Sequence, residues 1–169
     1  MLLVDNVIGM IARINLYCQE TQMVSQANTL KAVPKSKTTS YSVARKSSPN
    51  YVKGRRDFFE YIDLGITDAS NGKLRMQITK ARQGMSEPTG WHYHNCEGQI
   101  VYMTCGWLEL EMADGKTIHL DEGDSIYIPG GLPHNEIQTS DNFELLEISL
   151  PAEMGTEPCD PPKFVTDHA

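Results

Sequence analysis

From Asp57 onward the sequence predicts an all-β domain, and three observations carry that reading. Short runs rich in aromatic and β-branched residues recur about every ten residues, with turn residues between them. One run, Trp107-Leu108-Glu109-Leu110-Glu111-Met112, alternates strictly. It puts Leu108, Leu110 and Met112 on one face and Glu109 and Glu111 on the other, the pattern of a strand packed on one side and wetted on the other. Asn71-Gly72 and Asp114-Gly115 fall between such runs, and both central positions of a two-residue hairpin turn favour the positive φ these residues tolerate.

Taken in order, strands are expected at 58–64, 74–81, 91–94, 99–104, 107–112, 117–120, 125–128, 134–138 and 143–150. Asn71-Gly72 is read as a hairpin turn between the first two and Asp114-Gly115 as one between the fifth and sixth. No helical pattern of useful length and no internal repeat follows residue 57. The 169 residues suit one core. The expected organisation is a basic, flexible leader at 1–56, a β domain at 57–150 and an extended, proline-bearing tail at 151–169. Within the leader, Val4, Ile8, Ile11 and Asn15 fall near one face of a short amphipathic helix, but the polar stretch after it, broken by Pro34 and Pro49, reads as flexible. Met23 is a second candidate start.

Charge divides the chain sharply. Residues 1–56 carry nine Lys and Arg against two Asp and Glu, whereas 57–169 carry six against twenty. An acidic body repels phosphate backbones and anionic lipid, so neither nucleic acid nor membrane is expected as a partner. No apolar run reaches spanning length, and the 2–18 segment lacks the features of a secretory signal, so a cytoplasmic location is expected. Cys18, Cys96, Cys105 and Cys159 form no CxxC pair and read as reduced thiols.

Three of the five histidines form a pattern that packing does not require. Residues two apart on a strand point to the same side, so His92 and His94 present two imidazoles to one point. His134, delivered by the turn Ile128-Pro129-Gly130-Gly131-Leu132-Pro133, supplies a third from another strand. Imidazole suits zinc, copper, iron and nickel, and an oxygen ligand extends the range towards manganese.

Around these histidines the sequence resembles the cupin family. Its first motif, G-x5-H-x-H-x3,4-E-x6-G, is matched by His92, His94, Gln99 and Gly106, and its second, G-x5-P-x-G-x2-H-x3-N, by Gly123, Pro129, Gly131 and His134. With a sixteen-residue spacer the motifs cover 92–138, and the flanking strands extend the likeness over about 57–150. The resemblance implies a single-domain jelly-roll β-barrel holding one divalent ion, Fe, Mn, Ni or Zn, on His92, His94, Gln99 and His134. Three departures stand out: Ser86 occupies the place of the first motif's leading glycine, Gln138 that of the closing Asn, and Gln99 that of the usual glutamate ligand. An amide in place of a carboxylate removes one negative charge, so the ion is held less tightly and stays a stronger Lewis acid. Glu97 is the other candidate for the fourth ligand, but it lies only three residues after His94, and Gln99 is preferred on strand geometry.

The remaining candidates receive plainer readings. His119 and His168 are read as structural, and Tyr102, Met103, Trp107, Met112, Tyr127 and Phe143 as core. Glu136 and Glu147 are placed on the solvated outer face, with a cavity-facing acid or base as the alternative. The expected function is that of a metal-dependent small-molecule enzyme of dioxygenase, decarboxylase, lyase or isomerase type. A non-catalytic ligand-binding or sensory module is the alternative. Partners are then a small-molecule substrate or ligand and, because jelly rolls expose edge strands, a second copy in a homodimer.

Overall fold

The computed structural model describes residues 41–163; the 2–18 segment, Cys18 and His168 lie outside them. The elements are β1 (Asn50–Val52), β2 (Phe59–Asp63), α1 (Ile66–Ala69), β3 (Arg75–Ala81), β4 (His92–Asn95), β5 (Gly98–Cys105), β6 (Trp107–Met112), β7 (Thr117–Asp121), β8 (Ser125–Pro129), β9 (His134–Thr139), β10 (Glu144–Leu150) and β11 (Gly155–Pro158). Each of the nine expected strands is present within one or two residues of its expected bounds. Two strands lie beyond the 57–150 span: β1 pairs with β2, and β11 pairs with β4.

The strands form two antiparallel sheets, in the order β1-β2-β3-β10-β5-β8 and β11-β4-β9-β6-β7. The expected barrel is therefore a two-sheet jelly roll, packed face to face without continuous closure of the ladders. Alternation along β5, β6 and β10 turns Val101, Met103, Leu108, Leu110 and Leu145 inward, where they join Met112, Leu120, Ile128 and Phe143 in one buried cluster. Tyr102 and Tyr127, expected in the core, point outward with 46% and 59% exposure because they alternate with Met103 and Ile128.

Both turn expectations need adjustment. Asn71 (φ 55°) and Gly72 (φ 76°) do adopt the left-handed region, but they end α1, with Gly72 N donating to Thr67 O, and do not close a two-residue hairpin. Between β6 and β7 only Gly115 (φ 80°) has positive φ. Its N–H donates to Met112 O, giving a turn with a left-handed final residue in place of the mirror-image turn.

On the outer face of β6 and β7, His119 lies 3.1 Å from Glu109 Oε1 and 3.3 Å from Asp121 Oδ1, and its ring stacks on Trp107. The Glu109 hydrogen bond, with help from Asp121, raises the imidazole above its ordinary 6.5. A raised folded-state value stabilises the fold below pH 6.5, and the contribution disappears as pH climbs through the raised value. In an NMR titration His119 should therefore titrate above 6.5, and Glu109→Gln should move its midpoint back towards that value.

Candidate metal centre

Strand β4 opens at the end of a loop, and its pleat sends His92 and His94 inward, both buried, with Tyr93 and Asn95 on the other face. His134 opens β9 directly opposite His92 in the β4–β9 register. The ring centroids stand 4.5 Å apart for His92 and His134, and 5.1 Å for each pair that includes His94. One ring nitrogen from each residue lies within 4.8 Å of the other two.

Every Nδ1 is engaged on the side away from that meeting point. His92 Nδ1 lies 2.8 Å from Gly90 O, His134 Nδ1 2.9 Å from Leu132 O, and His94 Nδ1 3.0 Å from Thr156 Oγ1, which also accepts from Arg55 Nη1. Carbonyl oxygens only accept, so Nδ1 of His92 and of His134 carries the proton and Nε2 keeps its lone pair. Burial lowers His92 from its ordinary value and pushes His94 down to about 3, the latter with help from the Arg55 guanidinium and the neighbouring imidazoles. These are neutral nitrogen donors at physiological pH, the form a metal requires.

Two of these nitrogens, His94 Nε2 and His134 Nε2, are buried without a hydrogen-bond partner among the described residues, and so is Gln99 Oε1. A buried polar atom left unpaired costs about 1–3 kcal/mol, so this concentration of acceptor atoms fits a bound cation. Gln99 is buried on β5 and lines the same small cavity, about 60 Å³, as His92. Glu97 is exposed in the turn between β4 and β5.

Glu136 takes the less favoured of its two expected placements, inside and not on the outer face. It follows His134 by two residues on β9 and therefore shares its face, a signal the sequence did contain. Its carboxylate oxygens stand 3.8 Å from His92 Nε2 and 3.9 Å from His134 Nε2. Thr89 fixes it: the hydroxyl donates to Glu136 Oε2 and accepts from Glu136 N at 3.1 Å. Glu147 is likewise inside, buried and lining the cavity, so the outer-face placement fails for both glutamates. Arg55, Arg56 and Thr156 complete the rim and carried no motif by which to find them.

The glycine turn before β9 locks the two histidine strands together. Gly130 N donates to Glu97 O and Gly131 N to His94 O, tying the β8–β9 turn to the β4–β5 turn. A Cβ at Gly130 would collide with the backbone carbonyl of Cys96, which no side-chain rotation can relieve.

A two-sheet jelly roll with three buried imidazoles converging from two strands defines a class, and residues 81–149 match the family model described as Cupin domain. That stretch matches the cupin family, and the fold around it is the fold of cupin structures. Among solved structures it is similar to KdgF from Halomonas sp., at 18% identity over 68% of this chain and 96% of that one, TM-score 0.57. It is similar also to the polyketide cyclase RemF from Streptomyces resistomycificus, at 18% over 76% and 94%, TM-score 0.57. A third is an RmlC-like cupin from Shewanella frigidimarina, at 18% over 68% and 94%, TM-score 0.52. No curated protein sequence matches the chain.

Gly130→Ala should cost about 1–3 kcal/mol in urea unfolding, since backbone must move to admit the methyl group. The same variant should bind added Zn²⁺ more weakly than the wild type in a competition titration, because the displaced turn carries His134 and braces His94.

Proposed function

We propose that the protein is a metal-dependent cupin enzyme acting on a small oxygen-bearing molecule, with one divalent ion held by His92, His94, His134 and Gln99. The observation that carries this reading is the convergence of three buried imidazoles, each anchored outwardly through Nδ1, on a point beside an unpartnered amide oxygen. When bound, such an ion polarises the oxygen of a carboxylate, carbonyl or enolate. Glu136 distinguishes the enzyme from a binding module: a carboxylate held by Thr89 beside the imidazoles is positioned to take a proton from a substrate and return it elsewhere. Proton transfer of that kind belongs to lyase and isomerase chemistry, which this reading favours over dioxygenase and decarboxylase chemistry. One structural neighbour named as a polyketide cyclase is compatible with it. Arg55 and Arg56 at the rim favour substrates with an anionic or strongly polarised oxygen.

Elemental analysis of gently purified protein should give about one divalent ion per chain, and His92→Ala and His134→Ala should each lower retention at least about tenfold. Wild-type stoichiometry in both variants would sink the site. Gln99→Ala should weaken binding while Glu97→Ala leaves it unchanged; the reverse result would transfer the fourth position to Glu97. Glu136→Gln should retain the ion. If it loses the ion as the histidine variants do, Glu136 is a ligand and the proton-transfer role falls.

A further inference from the structure

A second set of polar groups faces the interior and is not used by the metal reading. Strands β3 and β10 invert the usual pattern: Gln77, Thr79, Glu147 and Ser149 are buried, whereas the aliphatic Met76, Ile78, Leu146 and Ile148 alternate with them on the opposite face. Adjacent strands that turn their polar side inward break the rule by which a sequence builds a core, and such breaks concentrate at functional sites. Thr79 and Glu147 line the cavity that also holds His92, Gln99 and Glu136.

Glu147 is only half committed. Its Oε1 accepts from Arg75 Nη2 at 2.7 Å and from Gln77 Nε2, its direct cross-strand partner, at 3.2 Å. Its Oε2 has no hydrogen-bond partner among the described residues. An arginine–carboxylate pair serving the fold alone gains most by closing its fork on both oxygens. Here both contacts fall on Oε1, Arg75 through one guanidinium nitrogen only, and the second oxygen is left as a charged acceptor on a residue that lines the cavity.

Building on the proposed function, we infer that Glu147 is a specificity-determining residue whose free oxygen accepts a hydrogen bond from a hydroxyl group of the substrate. A hydroxyl fits better than an ammonium. Arg75 already balances the Glu147 charge, and Arg55 and Arg56 line the same cavity, so a cation entering it would meet net repulsion. The substrate class is therefore small, hydroxylated and anionic or neutral, its oxygenated end at the histidines and a hydroxyl at β10. A site built to bond a hydroxyl discriminates strongly against the analogue that lacks it, because the acceptor is then left buried and unpaired.

Glycerate, propionate and alanine are matched probes that differ in hydroxyl and ammonium groups. With full-length, metal-loaded protein, calorimetry or ligand-observed NMR should find glycerate at least about tenfold tighter than either of the others. Glu147→Gln should shrink the glycerate preference severalfold while propionate affinity holds, because the hydroxyl then accepts from a neutral amide where it had donated to a carboxylate. The double replacement Arg75→Met with Glu147→Met removes the buried pair together, leaves the hydroxyl no partner there, and should bring glycerate and propionate to within about twofold. No glycerate preference in the wild type, or a preference intact in both variants, overturns the inference. Metal stoichiometry measured on the same samples separates the two ideas, since loss of the probe ratio with the ion retained concerns Glu147 alone.

Discussion

The constraint on which the rest of the structure depends is that three imidazoles must be buried and aimed at one point. Burial holds His92 and His94 below their ordinary value but leaves the rings free to turn, and an Nδ1 anchor on each of the three removes that freedom. The anchors reveal how the strands were used. His92 and His134 each open a strand, and each bonds the carbonyl two residues upstream, Gly90 O and Leu132 O, where the chain is still in a loop and the oxygen is not committed to a ladder. His94 sits inside its strand and has no such carbonyl at hand. It takes the Thr156 hydroxyl from β11, so that strand orients a ring as well as covering the edge of its sheet.

That division explains what the sequence made legible. The nine strands and the histidine set follow from period-two alternation and from spacings of two residues and of motif length, signals that are local and survive without tertiary knowledge. Strand β11 and the Thr156 anchor were not legible, because a short strand far along the chain acquires its role only from its partner. The glutamates failed for a different reason. Along β10 a hydrophobicity rule sends Leu146 and Ile148 inward and Glu147 out, and the structure does the opposite. The same inversion occurs next door on β3, where Gln77 and Thr79 displace Met76 and Ile78 from the interior. The rule fails where the interior is a cavity in place of a packed core.

The interior is thus divided. Leu108, Leu110, Val101 and Met103 supply the apolar burial that holds the sheets together, at roughly 1.5–3 kcal/mol for each large side chain removed from water. The polar remainder is costly to bury and is tolerated because most of it is cross-bonded: Arg75 and Gln77 on Glu147, Thr89 on Glu136. Among the buried atoms left unpaired in the described residues, three, His94 Nε2, His134 Nε2 and Gln99 Oε1, belong to the set that would receive an ion; Arg75 Nε, Asn135 Oδ1 and Thr139 Oγ1 are the others.

Charge balance gives a physical reason for an amide at Gln99. The cavity already contains two carboxylates, Glu136 and Glu147, and only the second is neutralised by a partner at ion-pair distance, Arg75. With neutral ligands, the proposed divalent ion and Glu136 together would leave the pocket about one positive charge in excess, to which Arg55 and Arg56 in its lining would add. A glutamate at that position would cancel the excess within a low-dielectric interior, where each charge counts for far more than it does in water. On the proposed metal reading the amide would trade metal affinity for a positive pocket in an otherwise acidic domain, and a positive pocket would draw in an anionic small molecule that the surface of the domain would repel.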